Sequence, residues 1–282
     1  MFLKALSISL FIALRAVAIC AQQAESPTKV SLRTSALKIN VDDMEKALSF
    51  YVGKLGFEVA DKGDYPREVV LKTDDSFKLI LERVARLQRV GPSETQVGLT
   101  LQVNDLEQAI LKMRSLKVRF AETTPRKEGV GNAIFILDPF GRKVSLMHQT
   151  ISKVEPFKEP RVYNFGVLIP EMSAGRDFYA NKLGFVVRSE RYLPLDLPLG
   201  HADKTFAFML HYRPGVTSIK SEYPKAAPFL TMVFETTDLT ETLKELRREG
   251  VHILAVESSK RGQIVILEDP FGNVSEVVEA KR

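Results

Sequence analysis

The sequence predicts an α+β protein assembled from paired βαβββ modules. Three observations lead there. The chain repeats itself, each repeat holds the same inner order twice, and apolar spacing alternates between strand-like and helix-like in a fixed succession. ALKINVDDMEKALSFYVGKLGFEV, from Ala36, aligns with NFGVLIPEMSAGRDFYANKLGFVV, from Asn164, at an offset of 128 residues. VNDLEQAILKMRSLKV, from Val103, aligns with TTDLTETLKELRREGV, from Thr236, at an offset of 133. Asp-Pro-Phe-Gly begins at Asp138 and again at Asp269, an offset of 131. Nearly constant offsets make the chain two copies of one unit, about 33–150 and 162–282. SKVEPFKEPR between them carries two prolines and several charges, which suits a linker over 151–161.

The elements follow in order. ALKINV alternates as a strand does. Asp42 or Asp43 caps the helix MEKALSFYVGKL, whose apolar Met44, Ala47, Leu48, Tyr51 and Leu55 recur at spacings of three and four. Gly56 ends that helix. Strands follow near FEVAD, REVVLKT and FKLILERV. After GPSE the order returns: strand VGLTLQV, capped helix DLEQAILKMRSL, then strands near VRFAE, NAIFIL and KVSLMH. Asp-Pro-Phe-Gly is a turn: Pro139 fixes one φ and Gly141 takes a positive one. A plain hairpin accounts for it without any function.

Bulk properties narrow the field. A chain of 282 residues suits about two domains. A 45% hydrophobic and 27% charged composition is that of a globular protein. The formal charge of +5 is spread among interleaved acids and bases, with no basic stripe, so nucleic acid is not an expected partner. The first 21 residues read as a signal peptide: Lys4, an apolar run from Ala5 to Leu14, then small residues in AVAICA. Arg15 leaves the apolar run too short for a membrane span. Export to the periplasm or medium is expected, without stable membrane association unless this segment stays uncleaved or Cys20 is lipidated. Cys20 is the only cysteine. If it leaves with the signal, disulfides, a Cys nucleophile and Cys-ligated zinc are excluded.

The helix signature VxDxxxAxxFYxxxLGF, from Val41 to Phe57, and the hairpin DPFGN-x-x-E, from Asp269 to Glu276, resemble the vicinal oxygen chelate superfamily. That group includes glyoxalase I, extradiol dioxygenases and the fosfomycin- and bleomycin-resistance proteins. The resemblance covers nearly all of 33–282. It implies that paired modules curl into two glyoxalase-like cups, each opening on a ligand site. It further implies divalent-metal ligands, typically His, Gln or Glu, on the first, fourth and last strands. The first-strand position lies seven residues before the helix-starting acid.

These positions hold Ala36, Glu82, Gly98 and Ser145 in domain one, and Asn164, His211, Thr231 and Glu276 in domain two. A catalytic Zn, Ni or Fe site needs about three nitrogen or carboxylate donors. Domain one falls short. Domain two offers His211 and Glu276 with Asn164, short of the two-His-one-carboxylate triad of an oxygenase. Each residue also has a structural reading. Glu82 beside Arg83 suits a solvated strand end, His211 a packed histidine, and Asn164 a hydrogen-bonded strand residue. His148, His201 and His252 fall on no matched position. The insertion RYLPLDLPLGHADKTF (191–206) is either a wall over a ligand or an ordinary folded loop.

The expectation is therefore a cofactor-free, exported binder of a small organic molecule, monomeric or homodimeric. Asn164, His211, Thr231, Glu82 and Ser145 are its candidate binding residues. The alternative is a lyase or isomerase using one divalent ion (Zn, Ni, Mn or Fe) on His211 and Glu276 in domain two, with Glu276 as catalytic carboxylate. A third reading is a non-catalytic scaffold or interaction module.

Overall fold

The computed structural model describes residues 30–73, 77–91, 93–201, 207–259 and 262–280. The segment expected to be a signal peptide and Cys20 lie outside them. Module one comprises β1 (Arg33–Val41), α1 (Met44–Tyr51), β2 (Val59–Asp64), β3 (Glu68–Leu71) and β4 (Lys78–Arg83). Module two comprises β5 (Gln96–Gln102), α2 (Leu106–Ser115), β6 (Arg119–Phe120), β7 (Arg126–Glu128), β8 (Gly131–Leu137) and β9 (Lys143–Gln149). Module three comprises β10 (Arg161–Ile169), α3 (Met172–Arg176), β11 (Val186–Val187), β12 (Asp196–Gly200) and β13 (Phe208–Tyr212). Module four comprises β14 (Leu230–Thr236), α4 (Leu239–Arg248), β15 (His252–Ser259), β16 (Gly262–Glu268) and β17 (Val274–Glu279).

Each helix begins on an acid whose carboxylate accepts backbone N–H groups that the first turn leaves unpaired. Asp43 accepts from Lys46 N, Asp105 from Gln108 N and Asp238 from Glu241 N, at 2.9–3.0 Å. In module three Glu171 takes that role, and α3 passes into a π-helical turn over Asp177–Lys182. Nothing in the aligned repeat signals that turn.

The modules form two sheets, and each sheet joins modules from different halves. One runs β15-β16-β17-β14-β1-β4-β3-β2, joining module four to module one. The other runs β11-β12-β13-β10-β5-β9-β8-β6, joining module three to module two, with β7 on β8. The junctions are antiparallel, β1 on β14 and β10 on β5, each with a bulge at its start. The 33–150 and 162–282 units are repeats of sequence, and each sheet takes one module from each.

One face of each sheet packs on helices and feeds a common core. There Phe165 stacks on Phe77 and Phe208, and Phe234 meets Phe185 and Phe208, with centroids 4.9–6.2 Å apart. The repeated Phe-Tyr and Asp-Pro-Phe-Gly motifs meet across this core. Buried Tyr51 donates to Asp138 at 3.2 Å, and Tyr179 donates to Asp269 at 2.8 Å. Each aspartate also holds its own turn: Asp138 accepts from the Phe140 and Arg142 amides, Asp269 from those of Phe271 and Asn273. The turns are thus clasps between modules within one half, where the sequence suggested only a hairpin.

The insertion at 191–206 contributes β12, whose Leu197 and Leu199 are fully buried in the core. The 202–206 part lies outside the described residues. No helix among the described residues is long and apolar enough to cross a membrane.

Candidate functional site

Strand alternation sends every second residue to the face opposite the helices. On β1, Leu37, Ile39 and Val41 enter the core, so Ala36, Lys38 and Asn40 line the other face, here cup face one. Ala36 packs there with Ile80 and Val233. Glu82 lies on β4 opposite Asn40, and Glu276 lies on β17 opposite Val233. The two carboxylates converge on one cation: Lys38 Nζ lies 2.8 Å from Glu82 Oε2 and 2.8 Å from Glu276 Oε1. All three side chains are under 20% exposed. Burial alone would lower the Lys38 pKa, but Glu276 and Glu82 together raise it above that of a free lysine. Burial raises Glu276 despite the attraction of Lys38, with Glu82 and Glu257 pushing the same way. Both directions describe one cluster in which a single ammonium serves two carboxylates.

Asn40 and Thr231 on face one are also paired internally. Asn40 Nδ2 donates to Thr231 Oγ1 at 2.8 Å and to Pro228 O at 2.7 Å. The connections after β4 and after β13 run side by side, bridged at Leu87–Ala227 and Glu94–Thr217 and paired by Arg86 and Glu222. The latter brings the Tyr223 hydroxyl onto Glu257, and burial followed by that bond raises its pKa.

Cup face two is built differently. Phe165, Val167 and Ile169 of β10 enter the core, leaving Asn164, Gly166 and Leu168 opposite. Gly166 pairs with Gly98 on β5, and Asn164 with Thr100. Ser145 on β9 lies beside Thr100, and His211 on β13 beside Leu168. His211 Nδ1 lies 2.8 Å from Asp196 Oδ1 on the neighbouring β12, and Arg213 reaches the same oxygen at 3.1 Å. Burial works to raise the Asp196 pKa, but His211 and Arg213 outweigh it, so this acid stays below the ordinary aspartate range. The other edge of the ring lies across Gly166: a Cβ there would come within 2.3 Å of both Cδ2 and Nε2. The Asn164 Oδ1 is buried without a hydrogen-bond partner.

The predicted residues therefore fall into two groups. Ala36, Glu82, Thr231 and Glu276 share face one. Asn164, His211, Gly98 and Ser145 share face two. His211 and Glu276, expected to hold one metal in domain two, are on different sheets. That correction follows from the pairing of module four with module one. Lys38, Gly166 and Asp196 were missed. A signal for the first two existed: they align at the repeat offset of 128, lysine in one copy and glycine in the other. The remaining histidines lie elsewhere, His148 on Val103 O, His201 on Ser31 and exposed His252 on Glu268.

Neither face fits a divalent metal. Face one has two carboxylates already bridged by an ammonium, with Ala36 and Thr231 at the other positions. Face two offers one imidazole with an amide, a glycine and a serine. Among the described residues no three His, Cys, Asp or Glu side chains cluster as a metal site.

The comparisons agree with this architecture. The Glyoxalase/Bleomycin resistance protein/Dioxygenase superfamily matches residues 33–146 and 162–277, and the chain belongs to it. Among solved structures it is similar to glyoxalase I from Zea mays, at 20% identity and a TM-score of 0.64, over 88% of this chain and 92% of that one. The V278E mutant of the same maize enzyme gives 21% identity and a TM-score of 0.65, over 88% and 92%. At such identities the likeness is one of fold. No curated protein sequence matches the chain.

Proposed function

We propose that the protein binds a small organic molecule on cup face two, without a metal. The observation that carries this reading is the buried, unpartnered Asn164 Oδ1 near the Gly166–Gly98 pair, over which the His211 ring lies. A buried acceptor left unpaired costs about 1–3 kcal/mol, which a ligand donor recovers on binding. Gly166 makes room for the His211 ring over the floor, Gly98 leaves its own position open, and Met147 and Met209 on the same face supply apolar contact. His211, held through Nδ1 by Asp196, is about 29% exposed and within a ligand's reach. Face one, with Lys38, Glu82, Glu276, Asn40 and Thr231 bonded to one another, is a structural partner in this reading. Following the N-terminal pattern, the protein acts outside the cytoplasm.

The test is a thermal-shift screen of small polar organic compounds on the mature chain. A genuine ligand raises the melting temperature of wild type. The shift disappears in Asn164→Leu and His211→Ala and survives in Glu276→Gln. Hits indifferent to Asn164 and His211 would remove the assignment to face two.

One observation favours a second reading, that face two also performs acid–base chemistry. The Asp196 contact orients the imidazole and favours the tautomer with its proton on Nδ1, leaving Nε2 free to accept one. Turnover of a bound hit, abolished in His211→Gln with binding retained, is the result expected of that reading.

A further inference from the structure

We infer that Lys38 is the built-in cation of cup face one and is itself what excludes a divalent metal from it. The superfamily resemblance places metal ligands on the fourth and last strands of paired modules, and Glu82 and Glu276 occupy those positions. They reach one point from opposite sides of the β4-β1-β14-β17 run. At that point stands the Lys38 ammonium, 2.8 Å from each.

Two buried carboxylates meeting at one point repel unless a cation separates them. An ammonium satisfies one oxygen of each through directed hydrogen bonds and leaves the trio with a net charge of −1. A divalent ion would leave the pair neutral, but it needs the space that Nζ fills. The other half of the chain supports the assignment. The strand registers make Gly166 the counterpart of Lys38, and His211 the counterpart of Glu82. Ser145 is the counterpart of Glu276 at the repeat offset of 131. The lysine and the two glutamates occur on the same face, and the face without the glutamates has glycine in the lysine's place. The cation is covalently supplied, so face one keeps its charge balance whatever metals the surroundings offer.

The experiment uses the mature chain with Mn²⁺ as the probe, because two carboxylates completed by water favour a hard ion. Mn²⁺ uptake is followed by the electron paramagnetic resonance of the free ion and by its effect on the melting temperature. Wild type, Lys38→Ala and Lys38→Ala/Glu276→Gln are compared. Lys38→Ala is expected to take up about one ion per chain, at least tenfold more tightly than wild type, with a melting temperature that rises with Mn²⁺. The double variant should lose both effects. Should Lys38→Ala fail to fold, Lys38→Met, which keeps the apolar stem, replaces it. A wild-type chain that itself retains one ion, lost in Glu276→Gln, overturns the inference. So does a folded Lys38 variant that takes up no more Mn²⁺ than wild type. Neither outcome depends on ligand binding at Asn164 and His211, so failure here and failure of the face-two assignment are separable.

Discussion

Gly166→Ala is the most informative substitution on cup face two. The new methyl would sit 2.3 Å from Cδ2 and from Nε2 of His211, so the ring must withdraw by about 1 Å to reach ordinary contact distance. The ring is held between Gly166 and Asp196, so a shift of that size forces Nδ1 out of its 2.8 Å geometry with Asp196, by compression or by rotation of the ring. Overpacking costs about 1–3 kcal/mol. Losing the imidazole–carboxylate bond adds about 1 kcal/mol, taken low because both groups are about 30% exposed. The expected loss is about 2–4 kcal/mol, or roughly 4–16 °C in melting temperature for a chain of this size. The cause is isolated by a double-mutant cycle with His211→Ala. With the ring removed, the methyl meets no other atom nearer than 3.6 Å, and alanine in a strand is about as good as glycine or better. Gly166→Ala should then cost under about 0.5 kcal/mol, measured by denaturant titration of all four proteins. Equal cost in both backgrounds would refute the contact between the ring and Gly166, and with it the placement of Nε2 over the glycine floor.

Other consequences are open to the same methods. Gly56 and Gly184 end equivalent helices at φ +93° and +77°, but a Cβ at Gly184 would meet Val30 O at 2.0 Å, whereas at Gly56 it would meet only Pro160 Cδ at 3.8 Å. Gly56→Ala should cost about 1–2 kcal/mol and Gly184→Ala more than about 3, so matching denaturation midpoints would refute the difference. Burial raises the Asp138 carboxyl to about 6, against the hydrogen bonds from the Arg142 and Phe140 amides and from Tyr51. The folded state therefore holds this proton longer than the unfolded chain. Its contribution to stability is fullest at low pH and falls as pH rises from about 4 through about 6, by about 3 kcal/mol. Asp138→Asn should gain on wild type between pH 5 and pH 7.5, and a loss over that range, in denaturation at the two pH values, would reverse the sign. Lys38→Met leaves Glu82 and Glu276 facing each other and should cost about 3–5 kcal/mol at pH 7. The deficit should shrink at lower pH as the Glu276 carboxyl, which burial raises, takes up a proton, and also on adding Glu276→Gln; a pH-independent deficit argues against the ionic cluster.

Much of the fold was legible because local signals repeat. Alternation marked ALKINV as a strand, and the caps and helix-ending glycines bounded the helices. Module pairing was not legible. The edge of β1 that meets β14 has the same alternation whichever module it faces, and the pairing is set by contacts about 200 residues apart in the chain. That ambiguity grouped His211 with Glu276. Lys38 was hidden for a related reason. A lysine on the polar side of an alternating strand reads as solvated, and only the convergence of β4 and β17 makes it a buried cation. Asn164 could be located by counting back from the helix acid and Ser145 by counting on from the Asp-Pro-Phe-Gly turn, because the repeat keeps its spacing, while Glu82 was placed on its strand by the resemblance. Their chemistry depends on neighbours from other modules, such as Asp196, which no count within one strand reveals.

The crossed pairing of modules has a consequence for how the chain holds together. Each half brings two sheet edges, β1 and β5 in one and β10 and β14 in the other, and each edge is completed by the other half. The architecture is that of two protomers exchanged about a pseudo-two-fold axis and then joined end to end. The peptide around 151–160 therefore works as a tether that keeps the halves at high effective concentration, rather than as a hinge between finished bodies. Cleavage there should leave the halves associated. A single half made alone would present β1 and β5 as open edges and should pair with a second copy of itself.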